Sequence, residues 1–196
     1  NTVWGVHVLV TLLAIAPSGV SGAAGVNSVW NELTPLPDSH GFAGPFAGVS
    51  GGALIVAGGA NFPDGPPSDG GAKVWHDNVF ALSEANGEWR QVGELERELG
   101  YGVSVTWKGQ LIGIGGSDSL QHHSVVFALR WDGASLEIES GPSLPITLAN
   151  AAGVLVGDVI YVAGGSLTPQ STEASSQFWK LDLSDGLKES EWTEVP

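Results

Sequence analysis

Cysteine is absent from the 196 residues, which excludes disulfides, thiolate metal sites and a cysteine nucleophile within this chain. Methionine is absent as well, and the sequence stops at "EWTEVP" in the middle of a patterned segment, so the chain reads as a piece open at both ends. Cations are scarce: seven Lys+Arg face 21 Asp+Glu, for a net charge of −14. Phosphate neutralisation needs clustered cations, so nucleic acid is excluded as a partner. Polybasic attachment to an anionic membrane surface is excluded for the same reason. Long apolar runs are also scarce. The stretch "VHVLVTLLAIA" (Val6–Ala16) falls short of the roughly 20 residues a bilayer span needs. With the small-residue tail "PSGVSGAAG" it has the pattern of a secretory signal's apolar core and cleavage region. Residues 1–24 are therefore set aside from the fold. The protein is expected to be exported, periplasmic or extracellular, with no membrane contact once the signal is removed.

Glycine, by contrast, is plentiful, with 29 residues. Three apolar runs end on a glycine pair: "LIVAGG" at Gly58-Gly59, "LIGIGG" at Gly115-Gly116 and "IYVAGG" at Gly164-Gly165, spaced 57 and 49 residues apart. A period of about 50 residues is expected for kelch-type propellers, which use four strands per blade. The flanks fit that expectation. Each pair is preceded by two short apolar runs joined by a tight turn, such as Lys108-Gly109 and Gly157-Asp158, where glycine supplies the positive φ of a two-residue hairpin. A polar loop follows, then a third run ("DNVFAL", "SVVFAL", "SQFWKL") and a fourth ("EWRQV", "LEIES", "EWTEV"). Trp89 and Trp192 open corresponding fourth runs, with Leu136 at the matching place in the middle repeat. The fold expected is all-β: a kelch-type β-propeller, with three four-stranded blades over 38–95, 96–145 and 146–196. Residues 25–37 form a linker and an orphan strand, "VWNELTPLP", that closes the last blade of the ring.

In such a meander the second-to-third-strand loops and the blade-to-blade connections share one face. Here the former are long: roughly 60–77, 117–123 and 166–175. Long loops on a rigid scaffold usually carry function. That rim holds His40, His76, His122 and His123 with Asn61, Asp64, Asp69, Asp77, Asp118 and Tyr101, a donor and acceptor set suited to sugar hydroxyls. Plain loop polarity would enrich the same residue types. Lys73 and Arg97 are the cations expected on this face, and Arg97 could bind a substrate carboxylate. The grouping Asp118, His122 and His123 has no standard metal-ligand spacing, so neither metal nor cofactor is assigned. No P-loop or dinucleotide fingerprint stands out, and "SEANGEW" lacks the aspartate of a sialidase Asp-box.

The stretches "GFAGPFAGVSGGALIVAGGANFPDG", "WHDNVFAL", "YGVSVTWKGQLIGIGG" and "LANAAGVLVGDVIYVAGG" resemble the bacterial kelch-propeller sialic acid mutarotases (N-acetylneuraminate epimerases), and more narrowly their cyclically permuted branch. The resemblance runs from about Trp30 to Pro196. It implies a six-bladed, exported isomerase that interconverts the α and β anomers of free N-acetylneuraminate, a small sugar acid. The family's proposed catalytic glutamate and arginine lie in the blade that comes last in permuted order. No catalytic residue is therefore assigned here, and the remaining blades of the full-length protein are the expected partners of these three. Asn61, Phe62, Arg97, Tyr101 and Asn150 are the expected substrate-binding positions. Two other readings stay open on sequence: a non-catalytic kelch module binding carbohydrate or protein, and another propeller enzyme. An isolated chain of this length is expected to be inactive and poorly folded.

Overall fold

Two-residue turns set the register of the molecule. In the computed structural model, which describes residues 31–196, strand β1 (Phe46–Ser50) pairs with β2 (Ala53–Ala57) across Gly51-Gly52, both at positive φ. Strand β7 (Val103–Trp107) pairs with β8 (Gln110–Ile114) across Lys108-Gly109, again both at positive φ, and β11 (Ala152–Val156) with β12 (Val159–Ala163) across Gly157-Asp158. Each hairpin gains a third strand, β5 (Asn78–Leu82), β9 (Val126–Trp131) or β13 (Phe178–Asp182). Each gains a fourth, β6 (Arg90–Glu94), β10 (Leu136–Ser140) or β14 (Trp192–Glu194). The result is three antiparallel four-stranded meanders, as the repeat requires, within one unit spanning Leu33–Pro196. A two-stranded ribbon, β3 (Ala60–Asn61) with β4 (Val74–Trp75), stiffens the first long loop, together with a 3-10 turn at Pro67–Asp69.

The apolar-on-both-faces character of these strands is explained by face-to-face packing of the sheets. Phe46, Leu111, Phe127, Leu129 and Trp131 fill the layer between the first and second blades. Val105, Trp107, Ile112, Ile160, Val162 and Leu181 fill the layer between the second and third. Phe46 is fully buried and meets the Phe127 ring edge-on at 5.0 Å. Burial of such a side chain contributes about 2–3 kcal/mol. Glycines let the inner strands approach: a Cβ on Gly102 would lie 2.4 Å from the Phe46 ring, and one on Gly153 would lie 2.2 Å from Val103. The innermost strand also needs its free backbone edge satisfied. Ser104 and Thr106 of the second blade do this, accepting from the N–H groups of Ala47 and Val49. On the third blade the face equivalent to Val105 and Trp107 stands uncovered, with Val154 53% and Val156 60% exposed.

The glycine pairs have a specific task. Gly59 N–H donates to Leu99 O, Leu99 N–H to His76 O, and His76 N–H to Gly59 O, closing a triangle of backbone bonds. One blade on, Gly116, Leu148 and His123 close the same triangle. Each triangle locks the end of a second strand to the start of its third and to the connection entering the next blade. All six glycines of the pairs have positive φ. A Cβ on Gly58 or Gly115 would stand 2.1 or 2.4 Å from the carbonyl oxygen of Leu99 or Leu148.

One local expectation changes. Ile138, not Leu136, occupies the middle-blade place of Trp192: Ile138 opposes Leu129 as Trp192 opposes Leu181. The β9–β10 ladder runs on to Trp131↔Leu136 before it turns, which displaces a count made forward from the third strand. The expected closing strand makes no ladder within residues 31–37, and its first residues lie outside the described ones, as does the signal-like segment. Its tail is nevertheless docked. Trp89 Nε1 donates to Thr34 O at 2.8 Å, as Trp192 Nε1 donates to Pro142 O at the end of the preceding blade, also at 2.8 Å.

Gly58→Ala combines a left-handed φ with a backbone clash and should destabilise the protein by roughly 2–4 kcal/mol in chemical denaturation. Gly157→Asn keeps a tolerated positive φ in open space and should cost under about 1 kcal/mol.

Candidate functional site

The connections gathered by the triangles converge on one mouth. The residue after each glycine pair bridges to the segment entering its own blade: Ala60 to Ala43, Ser117 to Gly100, Ser166 to Ala149. One step further in, Gly44, Tyr101 and Asn150 occupy equivalent places. All three have left-handed φ, at 62°, 61° and 57°. They are joined in series, Tyr101 N–H donating to Gly44 O at 2.6 Å and Asn150 N–H to Tyr101 O at 2.8 Å. For a tyrosine and an asparagine this backbone costs about 1–2 kcal/mol each and persists only where surrounding bonds enforce it. The reward is position: the left-handed turn holds both side chains at the mouth. Tyr101 lies against Gly44, where a Cβ would stand 2.6 Å from the ring.

All three long loops line a single open pocket of about 590 Å³ at this mouth. The first contributes Lys73 and Trp75, the second Asp118 and His122, the third Ser166, and Tyr101 and Asn150 complete the wall. Lys73 Nζ sits 4.0 Å from the Tyr101 ring centre and 4.3 Å from that of Trp75, and the two rings meet edge-on at 5.4 Å. His122 is buried and shares a 3.1 Å hydrogen bond with Ser166 across the blade boundary, while its Nδ1 has no partner among the described residues. Burial pushes the His122 imidazole below its ordinary pKa and the neighbouring His123 adds to this, against smaller opposing effects of the Gln121 backbone and Asp118. The ring is neutral at pH 7 and offers a donor or an acceptor.

Asp118 serves the loop itself. Its Oδ1 accepts from the N–H groups of Leu120 and Gln121 at 2.7 and 2.9 Å, and its Oδ2 takes His123 Nε2 at 2.7 Å. Partial burial alone would raise its pKa, but these hydrogen bonds together outweigh burial and hold the carboxyl below the usual range. Asn61 has the equivalent place in the first blade. Its amide donates to Asp38 and Gly41 O and its oxygen accepts from His76 Nε2 at 2.9 Å.

Of the expected binding positions, the structure brings Tyr101 and Asn150 together. Asn61 and Phe62 line a separate hollow with His40, and the Asn61 polar atoms are engaged in bracing the loop. Arg97 borders a small crevice against Ile138 and Ser140 of the second blade's outer edge, away from Tyr101 and Asn150. Of the four rim histidines only His122 lines the pocket; His76 and His123 brace loops behind it. His122 and His123 turn to different partners, Ser166 and Asp118, and no metal-holding cluster occurs among the described residues. Trp75 and Ser166 were not legible as site residues. Trp75 lies two residues from Lys73, a cation expected on this face, and that proximity was the available signal.

A family model described as N-acetylneuraminate epimerase matches residues 18–138. The chain belongs to the N-acetylneuraminate epimerase family. The N-acetylneuraminate epimerase of Haemophilus influenzae (strain PittEE) is 38% identical over 125 residues, covering 56% of this chain and 33% of that protein. That of Pasteurella multocida (strain Pm70) is 34% identical over 143 residues, covering 63% and 38%. A solved structure titled "Structure of YjhT" superposes with a TM-score of 0.53 at 28% identity, over 59% of this chain and 36% of that one. The matched part of the chain thus spans about a third of the length of these epimerases. The family match ends within β10, so the third blade is tied to the epimerase fold by its repetition of the first two.

The Asp118 carboxylate has a folded-state pKa below its unfolded value. Its contribution to stability is complete above about pH 4 and is lost as pH falls through the folded value. Asp118→Asn should lower the melting temperature at neutral pH and flatten its decline below about pH 4, read by calorimetry across that range.

Proposed function

We propose that the protein to which these blades belong interconverts the α and β anomers of N-acetylneuraminate, and that this chain supplies part of the wall of its sugar site. The observation that carries the reading is the pocket shared by all three long loops in a chain of this family. The relatives' name supplies the substrate; the pocket supplies chemistry that suits it. A polyol acid needs donors and acceptors for hydroxyls, an apolar face for its ring and a cation for its carboxylate. Asn150 and Ser166, the Trp75–Tyr101 pair and Lys73 provide these in turn.

Mutarotation requires little further. The anomeric hydroxyl loses its proton as the bond from C2 to the ring oxygen breaks, and the ring oxygen gains a proton. A ketone stands at C2 until the ring recloses on its other face. One group removes a proton and another delivers one, so no net proton or electron is exchanged. We assign neither role within this chain. Neutral His122 and Tyr101 offer hydrogen bonds at the mouth, while the acid–base pair belongs to the further blades of the propeller. On this reading the 196-residue chain alone is inactive, because its pocket is walled on one side only. The signal-like segment Val6–Ala16 supports an exported protein, acting on sugar before uptake.

Magnetisation exchange between the two N-acetylneuraminate anomers, followed by NMR, tests the proposal. The full-length protein should accelerate exchange over buffer at catalytic concentrations, and the 196-residue chain should not. Exchange at the buffer rate with well-folded full-length protein would overturn the reading.

A further inference from the structure

We infer that Lys73 is the residue of this chain that binds the sugar acid's carboxylate, with the Trp75–Tyr101 aromatic pair as its fixed mount. The inference rests on the proposed sugar site and names the group within it that selects an acid over a neutral sugar.

Seven cations serve the whole chain against 21 carboxylates, so the long-range field disfavours an anionic ligand and local charge must supply the attraction. Lys108, Arg130 and Lys188 are paired with Asp158, Glu137 and Glu139, away from the pocket. Arg97 borders the outer crevice. Lys73 is the cation that lines the pocket, and among the described residues no carboxylate lies within 4.0 Å of it. The one carboxylate of the same pocket, Asp118, is occupied by two backbone N–H groups and His123.

The mounting is also specific. Two ring faces at 4.0 and 4.3 Å hold the ammonium without neutralising it. A carboxylate partner would cancel the charge; an aromatic pair leaves it available and removes much of the conformational freedom a free lysine must lose on binding. The mount comes from two blades. Trp75 is on the β3–β4 ribbon of the first, and Tyr101 enters the second through its left-handed turn. The left-handed turn, held by the backbone bonds to Gly44 and Asn150, is what sets the Tyr101 ring beside Lys73.

The test uses the full-length protein with Lys73→Met and Lys73→Arg. The probes are N-acetylneuraminate, its methyl ester and glucuronate, read by titration calorimetry and, for N-acetylneuraminate and its methyl ester, by anomer exchange. Lys73→Met should weaken N-acetylneuraminate binding about tenfold or more while leaving the methyl ester within about twofold. It should raise KM with kcat nearly unchanged, as loss of a uniform binding contact does. Lys73→Arg should recover most of the loss. Equal weakening of acid and ester, or unchanged binding of both by a folded Lys73→Met protein, would overturn the inference, as would failure of the wild type to bind either acid. Lys73-dependent acid binding without accelerated exchange would keep this inference and sink the mutarotase reading. Accelerated exchange with a KM indifferent to Lys73 would do the reverse.

Discussion

The backbone triangle at the first two glycine pairs is the constraint on which the rest of the molecule depends. It closes only if two successive residues adopt left-handed φ and the first of them lacks a Cβ, because the Leu99 or Leu148 carbonyl stands where that carbon would be. Once closed, it fixes three things together: where the second strand stops, where the third begins, and how the chain enters the next blade. The layer cores then follow from geometry, since strands locked at their ends present the same alternation of side chains to each neighbour.

Much of this architecture could be read from the sequence, and the reasons are physical. Glycine pairs after apolar runs, two-residue hairpin turns and runs apolar on both faces are local signals, each with one mechanical explanation. Features that depend on ladder length were less legible. The Leu136 alignment failed because β9 and β10 stay paired past the point where the other blades turn, and no single residue announces that. The closing strand cannot be judged from its own pattern, because a strand exists only through a partner. Thr34 shows its placement instead through two hydrogen bonds, one accepted from the Trp89 indole and one donated to Gly87 O.

The site was legible by region and not by residue. Tyr101 and Asn150 stood out because they open blades, and the structure gives them a shared backbone geometry at the pocket. Asn61 is an expected binding position whose side chain is engaged in hydrogen bonds within its own loop. In sequence, an asparagine that binds a sugar cannot be told from one that ties Asp38 to His76. Arg97 had the right charge on the right rim, but its connection carries it to the outer edge of the sheet. Lys73 was legible as a cation of this rim by its charge and loop position, while Trp75 was hidden in a ribbon that pairs only Ala60↔Trp75 and Asn61↔Val74, too short to leave a periodic trace.

The triangles also bear on how such a wheel can be encoded. Both seams between the three described vanes are stitched by the same three main-chain bonds, although different side chains surround them. Neither seam is mechanically distinguished from the other by its main-chain bonds. A further vane presenting the same glycine pair and entry segment could be joined at such a seam without a new kind of contact having to be invented.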